Sequence, residues 1–96
     1  RLYHGAVTAP GLYLVEELRS LAAAYESFTY QPCVLNGEGS APDMAVGDIA
    51  QIALAQDGGL KGWRLFLCGD PNLVRGLQRS AFKAGAGLKD ILADAF

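Results

Sequence analysis

The segment from Trp63 to Leu73 constrains the fold of this chain more than any other stretch. Its sequence is Trp-Arg-Leu-Phe-Leu-Cys-Gly-Asp-Pro-Asn-Leu, in which mostly apolar residues run into a Cys-Gly turn. The residues that follow the turn recur at i, i+3, i+7 and i+10 along one helical face: Val74, Leu77, Ala81 and Ala84. The segment therefore predicts a strand, a tight turn and a helix.

The predicted turn has the features of a strand end that binds a ligand. Residues 65–67 are apolar on both faces, which suits the middle of a parallel sheet covered by helices. Asp70 predicts an N-cap whose carboxylate accepts a backbone N–H, and Pro71 loses no useful donor at the first helical position. Gly69 has no Cβ and lets a ligand approach the backbone at the carboxyl end of a strand, where open α/β sheets bind their ligands.

Length and composition limit the class of protein. The 96 residues predict one small domain, and 51% hydrophobic with 19% charged residues excludes a disordered chain. The net charge of -2 and the scattered cations argue against a nucleic-acid partner. No apolar run approaches the roughly 18 residues of a membrane span and no leader precedes the first element, so we expect no membrane association and a cytoplasmic location. Cys33 and Cys68 are too few for a disulfide framework and predict two free thiols.

Strands are predicted at three further places. Leu2 and Tyr3 indicate a strand that stops at Gly5, and residues 8–11 (Thr-Ala-Pro-Gly) indicate a turn. Residues 28–35 indicate a second strand, in which Pro32 favours an edge position because it removes a ladder donor. Residues 91–93 indicate a last strand. The loop over residues 36–43 is rich in Gly, Ser and Pro.

Two further helices are predicted from apolar periodicity. One face of the first is formed by Leu14, Leu18, Leu21 and Tyr25, and one face of the second by Val46, Ile49, Ala50 and Ala53. We expect the second helix to end at Gly58 and Gly59, and the third to end at residues 85–87 (Gly-Ala-Gly). The order β-α-β-α-β-α-β implies an α/β fold with a parallel sheet and right-handed crossovers.

Each candidate site has a functional interpretation and an ordinary structural one. Residues 37–42 (Gly-Glu-Gly-Ser-Ala-Pro) lie between a strand and a helix, as a phosphate-binding loop does, but Glu38 would place a carboxylate beside the phosphates, so we interpret them as an ordinary loop. Cys68 either fills a core or contacts a ligand, and its place at a strand end favours the ligand. His4 is interpreted as a polar residue at a strand end and Cys33 as a buried thiol. Two Cys and one His match no zinc motif, so no metal is expected.

Four stretches of the sequence carry a family resemblance: residues 2–5 (Leu-Tyr-His-Gly), 12–18 (Leu-Tyr-Leu-Val-Glu-Glu-Leu), 62–71 (Gly-Trp-Arg-Leu-Phe-Leu-Cys-Gly-Asp-Pro) and 93–96 (Ala-Asp-Ala-Phe). They resemble the pyridine-nucleotide domain of the ferredoxin reductase family, which includes flavin reductases and the reductase components of bacterial oxygenases. The Cys-Gly-x-Pro turn is the most specific element, and Leu73 stands where Met is common. The resemblance implies that residues 1–96 are a partial NAD(P)-binding domain, a three-layer Rossmann-like parallel sheet without its first strand and Gly-rich loop.

The resemblance also implies an activity. An oxidoreductase domain of this kind binds NAD(P)H for hydride transfer to FAD or FMN on a flavin-binding domain of the same parent, and electrons pass on to ferredoxin or another iron–sulfur acceptor. Cys68 and Phe96 are implied as the catalytic residues, Phe96 lying near the flavin ring, although Phe96 is equally well read as an end residue packing on the last strand. The implied cofactor-binding residues are Gly5, Ala6, Val7, Leu35 and Asn36 at the adenosine end, and Cys68, Gly69, Asp70, Pro71 and Leu73 at the nicotinamide end.

Cofactor preference and alternative functions follow from the same residues. We expect NADH rather than NADPH, because no Arg lies near Leu35 and Asn36 to bind a 2′-phosphate. We expect the chain to be inactive alone. One alternative is a non-catalytic α/β module that binds a nucleotide or a protein. A receiver domain of flavodoxin-like topology is disfavoured, because Gly5, Leu35 and Cys68 stand at strand ends where it needs acidic residues.

Overall fold

A computed structural model describes residues 1–55 and 58–96, and the chain forms two compact units, residues 1–52 and 53–96. The N-terminal unit contains β1 (Leu2–Ala6), a 3₁₀ turn (Ala9–Gly11), α1 (Val15–Ala24), β2 (Tyr30–Val34) and β3 (Ala45–Val46). The boundary between the units falls within α2 (Ile49–Leu54). The C-terminal unit contains β4 (Leu65–Gly69), α3 (Pro71–Lys83), a second 3₁₀ turn (Leu88–Asp90) and β5 (Ile91–Ala95).

The N-terminal unit is built on a three-stranded parallel sheet in the order β1-β2-β3. Its middle strand is β2, so the prediction that Pro32 marks an edge strand is wrong. The side chains of Pro32, Cys33 and Val34 are the largest fully buried ones in the part of the chain that the structure describes. The apolar residues of β2 therefore form the centre of this unit.

The backbone geometry of β2 explains why proline is tolerated in a middle strand. Thr29 accepts from Leu2 and Leu35 donates to Ala6, so the odd-numbered residues of this segment direct their backbone groups to β1 and Pro32 faces β3. The β3 ladder begins only at Cys33. The side-chain Nε2 of Gln31 donates to the carbonyls of Pro32 and Asp43, at 2.9 Å each. Gln31 thus supplies the donor that Pro32 lacks.

The second predicted helix starts later and ends earlier than its apolar pattern indicates. Val46 lies in β3, paired in register with Val34, and not in the helix as predicted. Gly47, at a φ of 145°, separates β3 from α2, and Asp48 caps α2. The helix ends at Leu54 rather than at Gly58 and Gly59, and residues 56–57 lie outside the described residues.

The first predicted helix is confirmed as α1, but its apolar face is not a core face. Leu14 precedes the helix in a left-handed conformation, at a φ of 56°. Leu14, Leu21 and Tyr25 are exposed, while Val15, Leu18 and Ala22 are half-buried. The stripe that faces the sheet is therefore rotated relative to the one predicted from periodicity.

The C-terminal unit pairs β4 with β5 in parallel and packs α3 against both strands. Its buried cluster consists of Leu60, Ala81 and Ala86, with Leu65 and Ile91 packed against it. Asp70 caps α3 and Pro71 follows at its first position, while Val74 and Leu77 are buried, as predicted. The last strand is confirmed and extends to Ala95.

One face of β4 departs from the prediction of a strand buried on both sides. Among the described strands, β4 pairs only with β5. Alternate residues point away from α3, and Phe66 is 76% exposed. The predicted α/β class with parallel strands is confirmed, but the strands lie in two small sheets. None of the helices formed by the described residues has the length and apolar character needed to cross a bilayer.

Candidate functional site

The carboxyl end of β4 and the end of the chain lie side by side. In the parallel β4–β5 pair, Cys68 is in register with Asp94 and Gly69 with Ala95. The backbone N–H of Phe96 then donates to the carbonyl of Gly69 at 2.9 Å. The structure thus brings the two residues implied as catalytic, Cys68 and Phe96, to the same strand end.

The turn after β4 is shaped by Gly69 and Asp70. Gly69 has a φ of 146°, a conformation that residues with a Cβ rarely adopt, and a Cβ there would lie 3.2 Å from Cδ2 of Leu73. The Asp70 carboxylate Oδ1 accepts the N–H groups of Asn72 and Leu73, both at 3.0 Å. The Asp70 carboxylate therefore holds the turn in place. Gly69 has no side chain that would keep a ligand away from its backbone.

The side chains at this strand end form an open surface. Cys68 is a free, exposed thiol, so the alternative in which it fills a core is wrong. Phe96 is 79% exposed, which is also against its packing on the last strand. Asp94, in register with Cys68, was missed by the sequence analysis because the last strand was expected to stop at residue 93. A predicted strand extended to residue 95 would have included Asp94, and the pairing of β4 with β5 then sets its position opposite Cys68.

The residues implied at the adenosine end form a second cluster, in the N-terminal unit. The N–H of Leu35 donates to Ala6 at 3.2 Å, and the N–H of Asn36 donates to Val7 at 2.9 Å. These residues follow neighbouring parallel strands and share one edge of the sheet. The Asn36 side chain accepts the N–H of Glu38 at 3.0 Å, which shapes the start of the next loop.

Gly5 has a packing reason for being glycine. A Cβ at this position would lie 2.7 Å from Cδ1 of Ile49, the first residue of α2. Within the N-terminal unit, Gly5 lets the helix approach β1 closely. The absence of a side chain at Gly5 is therefore explained without a ligand, while Val7 and Leu35 stay exposed beside it.

The described helix N-termini offer no free cradle for a pyrophosphate. The first turn of α1 carries Glu16 and Glu17. Oδ1 of Asp48 accepts the N–H groups at positions 50 and 51, and Asp70 does the same for α3. A carboxylate therefore occupies or adjoins the start of each α-helix in the described residues, where a phosphate would otherwise bind.

Residues 37–42 form the loop that the sequence predicts. The hydroxyl and the N–H of Ser40 both donate to the carbonyl of Gly37, at 2.7 and 3.1 Å. These bonds close the loop as a local turn, and Glu38 is exposed beside it. The interpretation as an ordinary loop agrees with this geometry.

The remaining titratable side chains of interest lie in the N-terminal sheet. His4 lies in the middle of β1 rather than at its end, with Nδ1 3.0 Å from the Tyr30 hydroxyl and its ring against that of Tyr13. Burial lowers the pKa of His4 and raises the pKa of Tyr30. Cys33 is buried as predicted, and burial raises its thiol pKa. No group of three potential metal ligands occurs among the described residues.

Known proteins resemble this chain in sequence. No protein-family model matches it. It is 33% identical over 98 residues to the ferredoxin–NAD(P)+ reductase component of the naphthalene 1,2-dioxygenase system of Pseudomonas putida, covering 99% of this chain and 29% of that protein. It is 30% identical over 95 residues to the corresponding component of the naphthalene 1,2-dioxygenase/salicylate 5-hydroxylase systems of a Ralstonia species, with the same coverage of both. It is 26% identical over 77 residues to the reductase component of propane 2-monooxygenase from a Gordonia species, covering 77% of this chain and 22% of that protein.

A solved structure shares the fold. The crystal structure of the cytochrome P450 reductase GcoB from Amycolatopsis matches with a TM-score of 0.86 at 21% identity, over 99% of this chain and 28% of that one. The chain thus spans less than a third of the length of the proteins it matches. Nearly the whole chain is therefore homologous to a part of the ferredoxin–NAD(P)+ reductase components of oxygenase systems, and it has a partial Rossmann-like fold.

Proposed function

We propose that this chain is the part of an NAD(P)H-dependent flavoprotein reductase that positions the nicotinamide of the cofactor. The observation that carries the proposal is the hydrogen bond between Phe96 and Gly69. It fixes an exposed aromatic residue beside an exposed thiol and a glycine turn at the carboxyl end of a parallel strand, where α/β folds bind their ligands.

Each residue of the turn has a proposed role. The thiol of Cys68 borders the nicotinamide, and the bare backbone of Gly69 permits its close approach. Asp70 and Pro71 fix the start of α3, and Leu73 supplies an apolar wall. The exposed ring of Phe96 would lie near the flavin ring, at the strand end where the nicotinamide would bind. The nicotinamide, when bound, supplies the hydride, and the chain supplies orientation.

The adenosine end is assigned to the second cluster. The edge formed by Gly5, Ala6, Val7, Leu35 and Asn36 offers apolar side chains and one amide. NADH fits this edge better than NADPH, because the chain has only Arg1 and Arg19 as cations in residues 1–52. Both Nε and Nη2 of Arg19 already donate to the Asp43 carboxylate, at 2.9 and 2.8 Å.

The partners are proposed from the relatives' names. Two of them are ferredoxin–NAD(P)+ reductase components of oxygenase systems. We infer that this chain works with a flavin-binding domain carrying FAD or FMN, and that the electrons pass to ferredoxin or another iron–sulfur acceptor. Because these 96 residues correspond to less than a third of the relatives' length, we expect them to be inactive alone.

The proposal is tested by mapping half-cofactors onto the chain. Amide spectra of the ¹⁵N-labelled chain are recorded with reduced nicotinamide mononucleotide and, separately, with AMP, each to millimolar concentration. The mononucleotide should shift the amides of Gly69, Asp70 and Phe96, and AMP those of Val7 and Asn36. Phe96→Ala should weaken the first response, and Phe82→Ala, which removes an exposed ring elsewhere, should not.

Two outcomes would contradict the proposal. If the mononucleotide leaves the amides around Gly69 unchanged while AMP binds, the chain is a nucleotide-binding module without a nicotinamide site. If neither ligand shifts its cluster at millimolar concentration, both assignments fail.

A further inference from the structure

Basic residues that are separated in the sequence lie together on the outer face of α3. Arg75, Arg79 and Lys83 are spaced at i, i+4 and i+8 and form one exposed ridge. Phe82 lies beside this ridge and is 53% exposed. No acidic residue occurs between Pro71 and Lys83. Arg79 and Lys83 form no ion pair with any residue that the structure describes. We call this surface the basic ridge. The described residues of its own unit provide no ion pair to Arg79 or Lys83.

The outer face of α1 has the opposite character. Two adjacent rows of residues, each with an i, i+4, i+8 spacing, leave a shallow groove between them that is open to solvent. Its lining consists of Glu16, Glu17, Ser20, Leu21, Ala24 and Tyr25. Glu16 is bound by Arg19 at 2.7 Å, whereas Glu17 forms no ion pair with another described residue. The groove is acidic at one end and apolar at the other, where Tyr25 is 59% exposed.

We propose that the basic ridge of one copy of this chain docks in the α1 groove of a second copy. A single i, i+4 ridge fits between two such ridges at a crossing angle of about −50°, the commonest packing of two helices. With the helices running in the same sense, Arg75 approaches Glu17 and Phe82 approaches Tyr25. At about 1.5 Å per residue, these pairs are separated by about 11 Å on α3 and about 12 Å on α1.

A second copy suits the basic ridge better than a polyanion does. Three cations on a chain of net charge -2 are few for neutralising a phosphate backbone. The exposed ring of Phe82 also needs an apolar counterpart, which Leu21 and Tyr25 supply. Because the two surfaces differ, the contact is heterologous and adds copies head to tail.

The contact should be weak and sensitive to salt. It joins one helix face to another, well below the area of a stable dimer, and its charges are exposed to solvent. Self-association is therefore expected only at high protein concentration. Sedimentation velocity of the full chain from about 0.05 to 1 mM covers this range. The average mass should rise with concentration at about 20 mM salt, and the rise should shrink at about 500 mM salt.

Charge exchange identifies the surfaces. Chains carrying Arg75→Glu with Arg79→Glu, or Glu17→Lys, should each remain monomeric, because like charges then meet. An equimolar mixture of these two variants should associate again, because each reversed surface meets an opposite charge on the other variant. Lys89→Glu reverses an exposed charge outside α3, and this variant should associate as strongly as the unmodified chain does. Circular dichroism confirms that each variant keeps its fold.

Several results would overturn the proposal. A constant monomer mass at low salt and 1 mM protein excludes the contact. Association that Lys89→Glu weakens as much as the α3 variants reflects general charge and not this surface. Association that persists in the charge variants, or a mixture that stays monomeric, means that another surface joins the copies, such as the exposed face of β4.

Discussion

The backbone N–H of Phe96 donates to the carbonyl of Gly69, at 2.9 Å, so the last residue of the chain is fixed to the turn between β4 and α3. The bond continues the parallel pairing by one residue beyond the register of Gly69 with Ala95. An aromatic ring and a thiol that are 28 positions apart in the sequence thereby share one strand end. The geometry of this end depends on the turn that Asp70 holds.

Removal of the Asp70 cap should destabilise the chain. In Asp70→Ala the N–H groups of Asn72 and Leu73 lose their acceptor, and the free energy of unfolding should fall by about 1 kcal/mol. Asp70→Asn keeps an acceptor oxygen and should lose less. Urea unfolding followed by circular dichroism measures both variants. Equal losses in the two variants would show that the charge of Asp70, and not its cap, stabilises α3.

The success of the α3 prediction shows what sequence alone can determine. The signals that define this helix are local, since Asp70 and Pro71 start it, Gly85 stops it and its apolar spacing selects Val74 and Leu77. Such signals act within a few residues and do not depend on the rest of the fold. The Cys-Gly turn was found for the same reason.

The predictions that failed depend on contacts between residues that are distant in the sequence. Pro32 indicates an edge strand only as long as the side chain of Gln31 is ignored, and that side chain replaces the missing donor. Val46 fits the helical period, but its pairing with Val34 places it in β3. Phe66 was expected to be covered because an apolar strand usually is. Local pattern does not reveal which strand edges and faces are covered, because this depends on distant residues.

Stability should depend on pH through His4. Burial lowers its pKa from the ordinary value of 6.5, so the unfolded chain binds more protons as the pH falls below that value. This contribution to stability is present above pH 6.5 and is lost as the pH falls through the pKa of the folded state. Urea unfolding between pH 8 and pH 5 should show the loss. His4→Gln removes the only histidine and should flatten the curve near pH 6, and an unchanged slope would refute the assignment.

Replacement of the exposed thiol should affect hydride transfer more than binding. In a reductase that contains this chain and its flavin domain, Cys68→Ala removes the group proposed to border the nicotinamide, and a displacement of about 1 Å costs on the order of a hundredfold in rate. Single-turnover flavin reduction measures this step, and the NADH dependence of its rate reports binding. Cys33→Ala, which removes the buried thiol of β2, serves as the control. An unchanged rate in Cys68→Ala would leave the thiol without a catalytic role.

Cofactor preference should favour NADH. Arg1 and Arg19 are the only Arg or Lys residues in the sequence from 1 to 52, and Arg19 is held by Asp43. In the same reductase, kcat/KM for NADH should exceed that for NADPH by at least about tenfold. Asn36→Arg introduces a guanidinium group that can bind a 2′-phosphate, and it should lower the ratio of kcat/KM for NADH to kcat/KM for NADPH. A clear NADPH preference in the unmodified protein would overturn the assignment of the adenosine end.

The chain on its own should bind NADH weakly and retain no flavin. Most of the charge of a dinucleotide is in its pyrophosphate, which usually binds the free N–H groups of a helix N-terminus. In the described residues, the start of α2 is occupied by Asp48 and that of α3 by Asp70, while Glu16 and Glu17 stand in the first turn of α1. On the proposed assignment, only the two ends of the cofactor would contact complementary surfaces, and the dissociation constant should be about millimolar. Calorimetric titration with NADH measures it, and a visible spectrum of the purified chain detects flavin. Micromolar affinity or a flavin band would mean that residues 37–42, or a second copy of the chain, supply the N–H groups that bind the pyrophosphate.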